Sequence, residues 1–191
     1  DPMPKMFFNK KLKNFRLSNI DQKIKLLSNL KVDFVITKKF DKKFSKTKAL
    51  DFIIKILNKK LNSRFIFVSN NFRFGNKREG NVNLLKKHEK SFNYKVIKPE
   101  PLIKNKKIVS SSLIRNLLEK GFLAKANNYL NRNWTIQGIV KKGRQVGKKI
   151  GFPTCNIDIK DYVLAKPGVY AVKVLRKNSN KYLKGIANLG Y

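Results

Sequence analysis

The groups best suited to hold a phosphate lie in the glycine-rich stretch of residues 143–156. Glycine lets a backbone approach phosphate oxygens closely, as Gly151 would do, and a nearby lysine such as Lys148 adds positive charge. Thr154 and Asn156 offer the uncharged oxygen ligands that a phosphate-bound Mg²⁺ accepts. The stretch therefore predicts a nucleotide-phosphate loop, although an ordinary glycine-rich hairpin before an edge strand has the same composition.

Three consecutive serines form a second group, at a point where a helix is predicted to begin. The hydroxyls of Ser110, Ser111 and Ser112 can cap the free amides of that helix and hydrogen-bond a phosphate there. Arg115 lies one turn further on, where its guanidinium can neutralise the same phosphate. Simple capping beside a surface arginine explains the pattern equally well, and both interpretations stay open.

A third group occupies the loop of residues 68–80, which follows a predicted strand. In open α/β sheets, ligands collect beyond the carboxyl ends of the strands, so this position favours a binding loop. The loop contains Asn71, Phe72 and Phe74, together with one lysine and two arginines.

Helical and strand-like stretches alternate around these groups. Apolar spacing predicts helices over residues 20–30, 45–57, 81–90, 111–120 and 124–130, the first of them capped by Ser18 with Asp21. Short β-branched and aromatic runs predict strands over residues 32–37, 65–68 and 94–97. This order predicts an α/β fold with a parallel sheet. From Trp134 onward a period of two with frequent glycines predicts the start of a β-barrel or sandwich, beyond a boundary near residues 131–133.

The charge of the chain is strongly positive. A net charge of +34 results from 45 Lys and Arg residues against 11 Asp and Glu residues, and such a chain attracts polyanions. Because the lysines are spread along the chain and the aromatic residues fall at core-like spacing, we expect no specific nucleic-acid partner. The competing interpretation is a basic RNA- or DNA-binding module in which Phe72, Phe74 and the surrounding cations contact nucleic acid.

The composition also excludes several classes of site. One cysteine, Cys155, and one histidine, His88, exclude an intrachain disulfide, a cysteine-rich zinc site and most histidine-based metal and triad schemes. No apolar run approaches the roughly 18 residues of a membrane span. We therefore expect a cytoplasmic protein with no membrane partner.

The three groups together resemble motifs of the bacterial bifunctional riboflavin kinase/FMN adenylyltransferases, also called FAD synthetases. Members of that family carry a G-x-(D/N)-F-x-F-G-x-x-R-x-G loop after a strand, S-S-T-x-I-R at the start of a helix, and G-F-P-T-A-N further along. The corresponding segments here are residues 69–80, 110–115 and 151–156, in the same order. Further agreement towards both ends extends the resemblance over the whole chain.

The resemblance implies two domains. A Rossmann-like FMN adenylyltransferase domain with a parallel sheet would cover residues 1–131, and the first part of an antiparallel β-barrel riboflavin kinase domain would cover residues 132–191. The implied activities are phosphorylation of riboflavin to FMN and transfer of AMP from ATP to FMN, which yields FAD. The implied substrates are ATP, riboflavin and FMN, with Mg²⁺ as cofactor.

The resemblance also implies roles for individual residues in and near the three motifs. Arg115 would be catalytic, because it would offset charge that grows on the pyrophosphate leaving group. Asn71 and Phe72 would bind the flavin, and Thr154 and Asn156 would contact the metal. The remaining implied role, ATP binding, is shared by Ser110, Ser111, Ser112, Lys148, Gly151, Thr154 and Asn156.

Two segments of the family pattern are expected outside this sequence. They are an N-terminal G-N-F-D-G-x-H-x-G-H segment, whose histidines bind ATP phosphates, and an acidic kinase base beyond Tyr191. We therefore expect a fragment, truncated at both ends, that has neither activity by itself. A monofunctional adenylyltransferase that has lost kinase activity is a further alternative.

Overall fold

A computed structural model of the chain describes residues 2–12, 15–143 and 151–190. The chain divides into two compact units. Unit 1 comprises the described parts of residues 1–10 and 36–108, and unit 2 comprises those of residues 11–35 and 109–191.

The described helices are mostly short, and the strands pair two at a time. The α-helices are α1 (Pro4–Phe8), α2 (Ile20–Asn29), α3 (Lys42–Ser45), α4 (Ala49–Asp51), α5 (Val82–Lys87), α6 (Glu89–Phe92), α7 (Ser111–Glu119) and α8 (Leu123–Leu130), with a π-helix at Phe52–Asn58 and a 3-10 helix at Asn76–Arg78. The strands are β1 (Phe65–Phe67), β2 (Arg73–Phe74), β3 (Gly80–Asn81), β4 (Lys95–Ile97), β5 (Ile103–Lys104), β6 (Lys107–Ile108), β7 (Val140–Lys141), β8 (Asn156–Ile157), β9 (Gly168–Leu175) and β10 (Tyr182–Leu189).

Unit 1 contains the predicted parallel pairing. β1 runs parallel to β4, with Ile66 opposite Val96, and both of these side chains are buried. Burying alternate strand residues against helices is what a half-covered sheet requires. The core joins this sheet to the helical segment of residues 49–58 and to α5, and its buried residues are Ala49, Ile53, Ile66, Phe74, Val82, Leu85, Tyr94 and Val96. The prediction of a mixed α/β fold with a parallel sheet is confirmed.

The predicted strand at residues 32–37 is wrong. This segment pairs with no strand in the described part of the chain, and Phe34 and Ile36 remain 87% and 72% exposed. Its β-branched and aromatic residues suit a pleated, half-buried surface, but a strand also needs a neighbouring backbone for its amides and carbonyls. The helix predicted over residues 45–57 is divided into the end of α3, α4 and the π-helix.

The predicted cap of α2 is displaced by one residue. The N-cap is Asn19 rather than Ser18, and its side chain accepts a hydrogen bond from the Gln22 amide at 2.8 Å. The Gln22 side chain in turn accepts from the Asn19 amide at 2.9 Å, which completes a capping box. Ser18 instead accepts a hydrogen bond from Arg132 at 3.1 Å.

Unit 2 has its core between two helices and the C-terminal segment. The buried side chains of α7 and α8 pack with Val163 and Ala165, so residues on both sides of position 131 share one core. β9 and β10 form an antiparallel hairpin, and β7 pairs antiparallel with β8. The antiparallel character of this region is thus observed. The described residues form no closed sheet, so the barrel and the domain boundary at residues 131–132 stay predictions.

Candidate functional site

The predicted phosphate-binding serines lie at the N-terminus of α7. Ser110 is the N-cap, and its hydroxyl accepts a hydrogen bond from the Leu113 amide at 3.2 Å. Ser111 and Ser112 are exposed in the first turn, while Ile114 and Leu118 bury the opposite side of the helix. The packing of α7 therefore presents the serines at an open helix end, where amide groups and the helix dipole favour an anion.

Arg115 lies in the second turn of α7 and is held by Phe15. Its Nε donates a hydrogen bond to the Phe15 carbonyl at 2.8 Å, and its guanidinium carbon lies 3.7 Å from the centroid of the Phe15 ring. Burial lowers the pKa of Arg115 below its usual value, and the Glu119 carboxylate opposes this shift. Arg115 shares a helix face with Ser111, which lies four residues earlier.

The segment that holds Arg115 is itself fixed by residues of the C-terminal region. The Arg16 amide donates to the Asp161 carbonyl and the Val163 amide donates to the Arg16 carbonyl, each at 2.8 Å. The Trp134 indole donates to the Leu17 carbonyl at 3.0 Å. We call residues 15–19 the clasp segment, because backbone and side-chain donors hold it from several sides.

A buried polar network lies next to the clasp segment. The Tyr162 hydroxyl is 2.8 Å from Gln22 Oε1 and also accepts a hydrogen bond from the Gln137 amide at 3.1 Å. The Gln22 side-chain amide donates to the Thr135 carbonyl at 2.9 Å. Tyr162 is only 3% exposed, and burial is the main cause that raises its pKa above its usual value. This network joins α2 to Thr135, Gln137 and Tyr162 within unit 2.

The described part of the glycine-rich stretch is exposed. Gly151 has a φ of +83°, a conformation that favours glycine, and Thr154 follows in an exposed extended segment. Asn156 begins β8, and its side-chain amide lies where a Cβ on Gly143 would stand. Lys148 lies outside the described residues.

Thr154 and Asn156 in this segment carry oxygen atoms of the kind that Mg²⁺ accepts as ligands. A threonine hydroxyl and an asparagine amide oxygen are hard donors, which suit Mg²⁺ when substrate phosphates supply further oxygens. The Nδ2 atom of Asn156 lies where a Cβ on Gly143 would stand, so only a glycine at position 143 leaves room for the Asn156 side chain. Among the described residues no group of three or more His, Cys, Asp or Glu side chains could hold a metal ion. Thr154 and Asn156 fit a phosphate-bound Mg²⁺.

The predicted flavin-binding residues belong to unit 1. Ser69 donates its hydroxyl to Asn71 Oδ1 at 3.0 Å, and its carbonyl accepts from the Phe72 amide at 3.0 Å, so the loop begins with a tight turn. The Phe72 ring stacks on Phe74, with centroids 5.5 Å apart and an interplanar angle of 19°. Phe74 is buried and anchors the loop, whereas Asn71 is exposed. Gly75, with a φ of +76°, lies so close to Ala49 that no side chain fits there.

The structure thus groups the predicted residues by segment. The three serines and Arg115 lie together at the start of α7 and in its second turn. Gly151, Thr154 and Asn156 lie within six residues of one another in unit 2, and Asn71 and Phe72 lie in unit 1. Sequence reasoning missed Phe15 and Tyr162. Phe15 precedes its arginine partner by 100 residues, and Tyr162 lies 140 residues after Gln22, so no local pattern could reveal either pair.

Two protein-family models match the chain. A model described as FAD synthetase matches residues 1–113, and a model described as riboflavin kinase matches residues 130–191. The chain belongs to the FAD synthetase family, and a segment that matches the riboflavin kinase model follows in the same chain. The resemblance read from the three motifs is therefore confirmed.

Curated relatives carry the combined name over the full length of this chain. A bifunctional riboflavin kinase/FMN adenylyltransferase of Buchnera aphidicola (from Schizaphis graminum) is 40% identical over 191 residues, which are 100% of this chain and 61% of the relative. Proteins of the same name from Haemophilus influenzae and Escherichia coli K12 are 36% and 34% identical, again over 100% of this chain and over 61% and 60% of each relative. The chain thus spans about three-fifths of the length of these relatives.

A solved structure shares the fold. A crystal structure described as a macrolide-efflux protein from Streptococcus pneumoniae matches with a TM-score of 0.74 and 24% identity, over 91% of this chain and 55% of that one. At this identity the match supports the fold alone. Within the described residues, no helix has the length and apolar character needed to span a membrane.

Proposed function

We propose that the complete protein to which this chain belongs forms FAD from riboflavin in two ATP-dependent steps. The observation that supports this most directly is the tandem order of the two family matches, FAD synthetase and then riboflavin kinase, in a chain that aligns over its whole length with bifunctional relatives. Domains over residues 1–131 and 132–191, the second of them part of a β-barrel, belong to this proposal, as does a cytoplasmic location.

The first part would transfer AMP to FMN. An oxygen of the FMN phosphate forms a bond to the α-phosphorus of ATP, the bond from that phosphorus to the β-phosphate oxygen breaks, and pyrophosphate leaves. Ser110, Ser111 and Ser112 would hydrogen-bond the ATP phosphates at the start of α7. Arg115 would neutralise the charge that grows on the pyrophosphate. Asn71, which is exposed, and Phe72 would contact the flavin.

The second part would phosphorylate riboflavin. The ribityl hydroxyl would release its proton and its oxygen would bond to the γ-phosphorus of ATP, while the bond from that phosphorus to the β-phosphate oxygen would break and ADP would leave. The backbone at Gly151 and the Lys148 charge would cradle the phosphates, and Thr154 and Asn156 would hold the metal with them. When bound, Mg²⁺ would reduce the negative charge of the ATP phosphates.

The test supplies the full-length gene product that carries this sequence with riboflavin, ATP and magnesium, and chromatography follows the flavins. We expect FMN to appear first and FAD afterwards. Arg115→Lys keeps the charge but loses the planar fork, so FAD formation from supplied FMN should fall about tenfold or more. Thr154→Val should lower FMN formation instead, because it removes one oxygen ligand.

Each variant controls for the other. The arginine variant should form FMN at the unaltered rate, and the threonine variant should still convert supplied FMN to FAD. If the unaltered protein makes neither product, the proposal is wrong. If both variants lose both activities together with their fold, the assigned residues are structural instead.

A further inference from the structure

Phe15 contacts the Arg115 guanidinium through both its backbone carbonyl and its ring. The hydrogen bond to the Phe15 carbonyl uses Nε, at 2.8 Å, and the two terminal nitrogens take no part in that bond. The Phe15 ring lies 3.7 Å from the guanidinium carbon, within the range of a cation–π contact. One neighbouring residue therefore restrains both the direction and the plane of the guanidinium.

We propose that Phe15 is a positioning residue for adenylyl transfer: its carbonyl and ring orient the Arg115 guanidinium so that the terminal nitrogens meet the ATP phosphates at the start of α7. The inference rests on the proposed function, because it assumes that Arg115 binds those phosphates. It goes beyond the family motifs, since Phe15 belongs to none of the three.

The position of Phe15 is itself determined by the clasp segment. Arg16, the next residue, exchanges two backbone hydrogen bonds with residues 161 and 163, and Leu17 accepts from the Trp134 indole. All three partners lie in the part of the chain that matches the riboflavin kinase model. The part of the chain that matches riboflavin kinase therefore holds Phe15 in place, and Phe15 orients Arg115.

A flexible arginine loses orientation more readily than one that is held in place. A guanidinium restrained in the plane of two phosphate oxygens makes paired hydrogen bonds, and a displacement of about 1 Å can cost up to a hundredfold in rate. Phe15→Leu keeps the carbonyl and an apolar side chain but removes the ring. The loss should therefore appear in the transfer step more than in folding.

The experiment compares both activities of the full-length gene product in one preparation. Phe15→Leu should lower kcat for FAD formation from FMN about tenfold, with little change in riboflavin kinase kcat. Phe15→Tyr, which keeps the ring, should restore FAD formation. Phe122→Leu is the matched control, because it removes another ring of unit 2 that lies under a cation, that of Lys125 at 5.2 Å. This control should leave both activities unchanged.

A double variant separates positioning from general packing. If Phe15 acts through Arg115, adding Phe15→Leu to Arg115→Lys should cause little further loss, because the orientation of the original guanidinium no longer matters. Equal losses of both activities in Phe15→Leu, or an unaltered rate of FAD formation, would overturn the inference. No effect of Arg115→Lys would refute the arginine assignment, and absence of FAD formation by the unaltered protein would refute the proposed function; either result overturns the inference too.

Discussion

Removal of the Tyr162 hydroxyl tests whether the buried network of unit 2 stabilises the fold. In Tyr162→Phe, the Gln137 amide loses the hydroxyl that it donates to, and Gln22 Oε1 keeps only its bond from the Asn19 amide. Tyr162 is 3% exposed, so water cannot readily replace the missing group. The bond between the Tyr162 hydroxyl and Gln22 is buried, and loss of one partner of a buried hydrogen bond costs about 1–3 kcal/mol.

The expected change in melting temperature follows from the size of the chain. One kcal/mol corresponds to about 2–4 °C for a protein of roughly this length, so Tyr162→Phe should lower Tm by about 5 °C. The single tryptophan, Trp134, donates to the Leu17 carbonyl in the same unit, so its fluorescence reports the unfolding of unit 2.

The control is Tyr182→Phe, which removes a hydroxyl from a residue that is 60% exposed. Such a surface change should shift the free energy of unfolding by less than about 0.5 kcal/mol. If the Tm values of the two variants agree within 1 °C, the hydroxyl network contributes nothing to stability, and the Tyr162 hydroxyl does not hold α2 in place.

Three further predictions address unit 1, the core of unit 2 and the charge. Burial raises the pKa of Tyr94 from 10.0 to about 12, so the unfolded chain loses this proton at a lower pH than the folded chain, and the free energy of unfolding should fall as the pH rises from 10 to about 12. Urea titrations of Tyr94→Phe should lack this part of the pH dependence, and the same pH dependence in the variant and the unaltered protein would contradict the prediction. Leu118→Ala empties a fully buried position and should cost about 2–5 kcal/mol by thermal unfolding, against almost nothing for Leu102→Ala, whose side chain is 67% exposed. Binding of random-sequence RNA should disappear when the salt is raised to physiological concentration, because it reflects only the net charge of +34; sequence-selective binding that survives this salt would favour the nucleic-acid interpretation.

Local pattern was sufficient for part of the fold. The helices α2, α7 and α8 and the strands β1, β4 and β9 were predictable, because their apolar spacing follows the period of one element. The segment at residues 32–37 was not, since a strand needs a partner that its own sequence does not contain. The N-cap at Asn19 was missed because two adjacent polar residues compete for one position, and only the reach to Gln22 decides between them.

The residues of the candidate site were likewise only partly predictable from the sequence. The motif order placed the three serines at the start of α7, where the structure has them. Phe15 could not be predicted, because its contact with Arg115 arises from backbone pairing between the clasp segment and residues 161–163. Sequence motifs identify groups that face a ligand, whereas the groups that hold those residues in place depend on tertiary packing.

The most direct test of the central claim follows two labels from ATP into flavin. The full-length gene product receives riboflavin as the only flavin, and ATP labelled either at the α-phosphorus or at the γ-phosphorus. We expect the γ-label to appear in FMN and both labels to appear in FAD, since the kinase step transfers the terminal phosphate and the second step transfers AMP. Recovery of both labels outside the flavins would contradict it, and recovery of the γ-label alone would leave a kinase without the proposed adenylyl transfer.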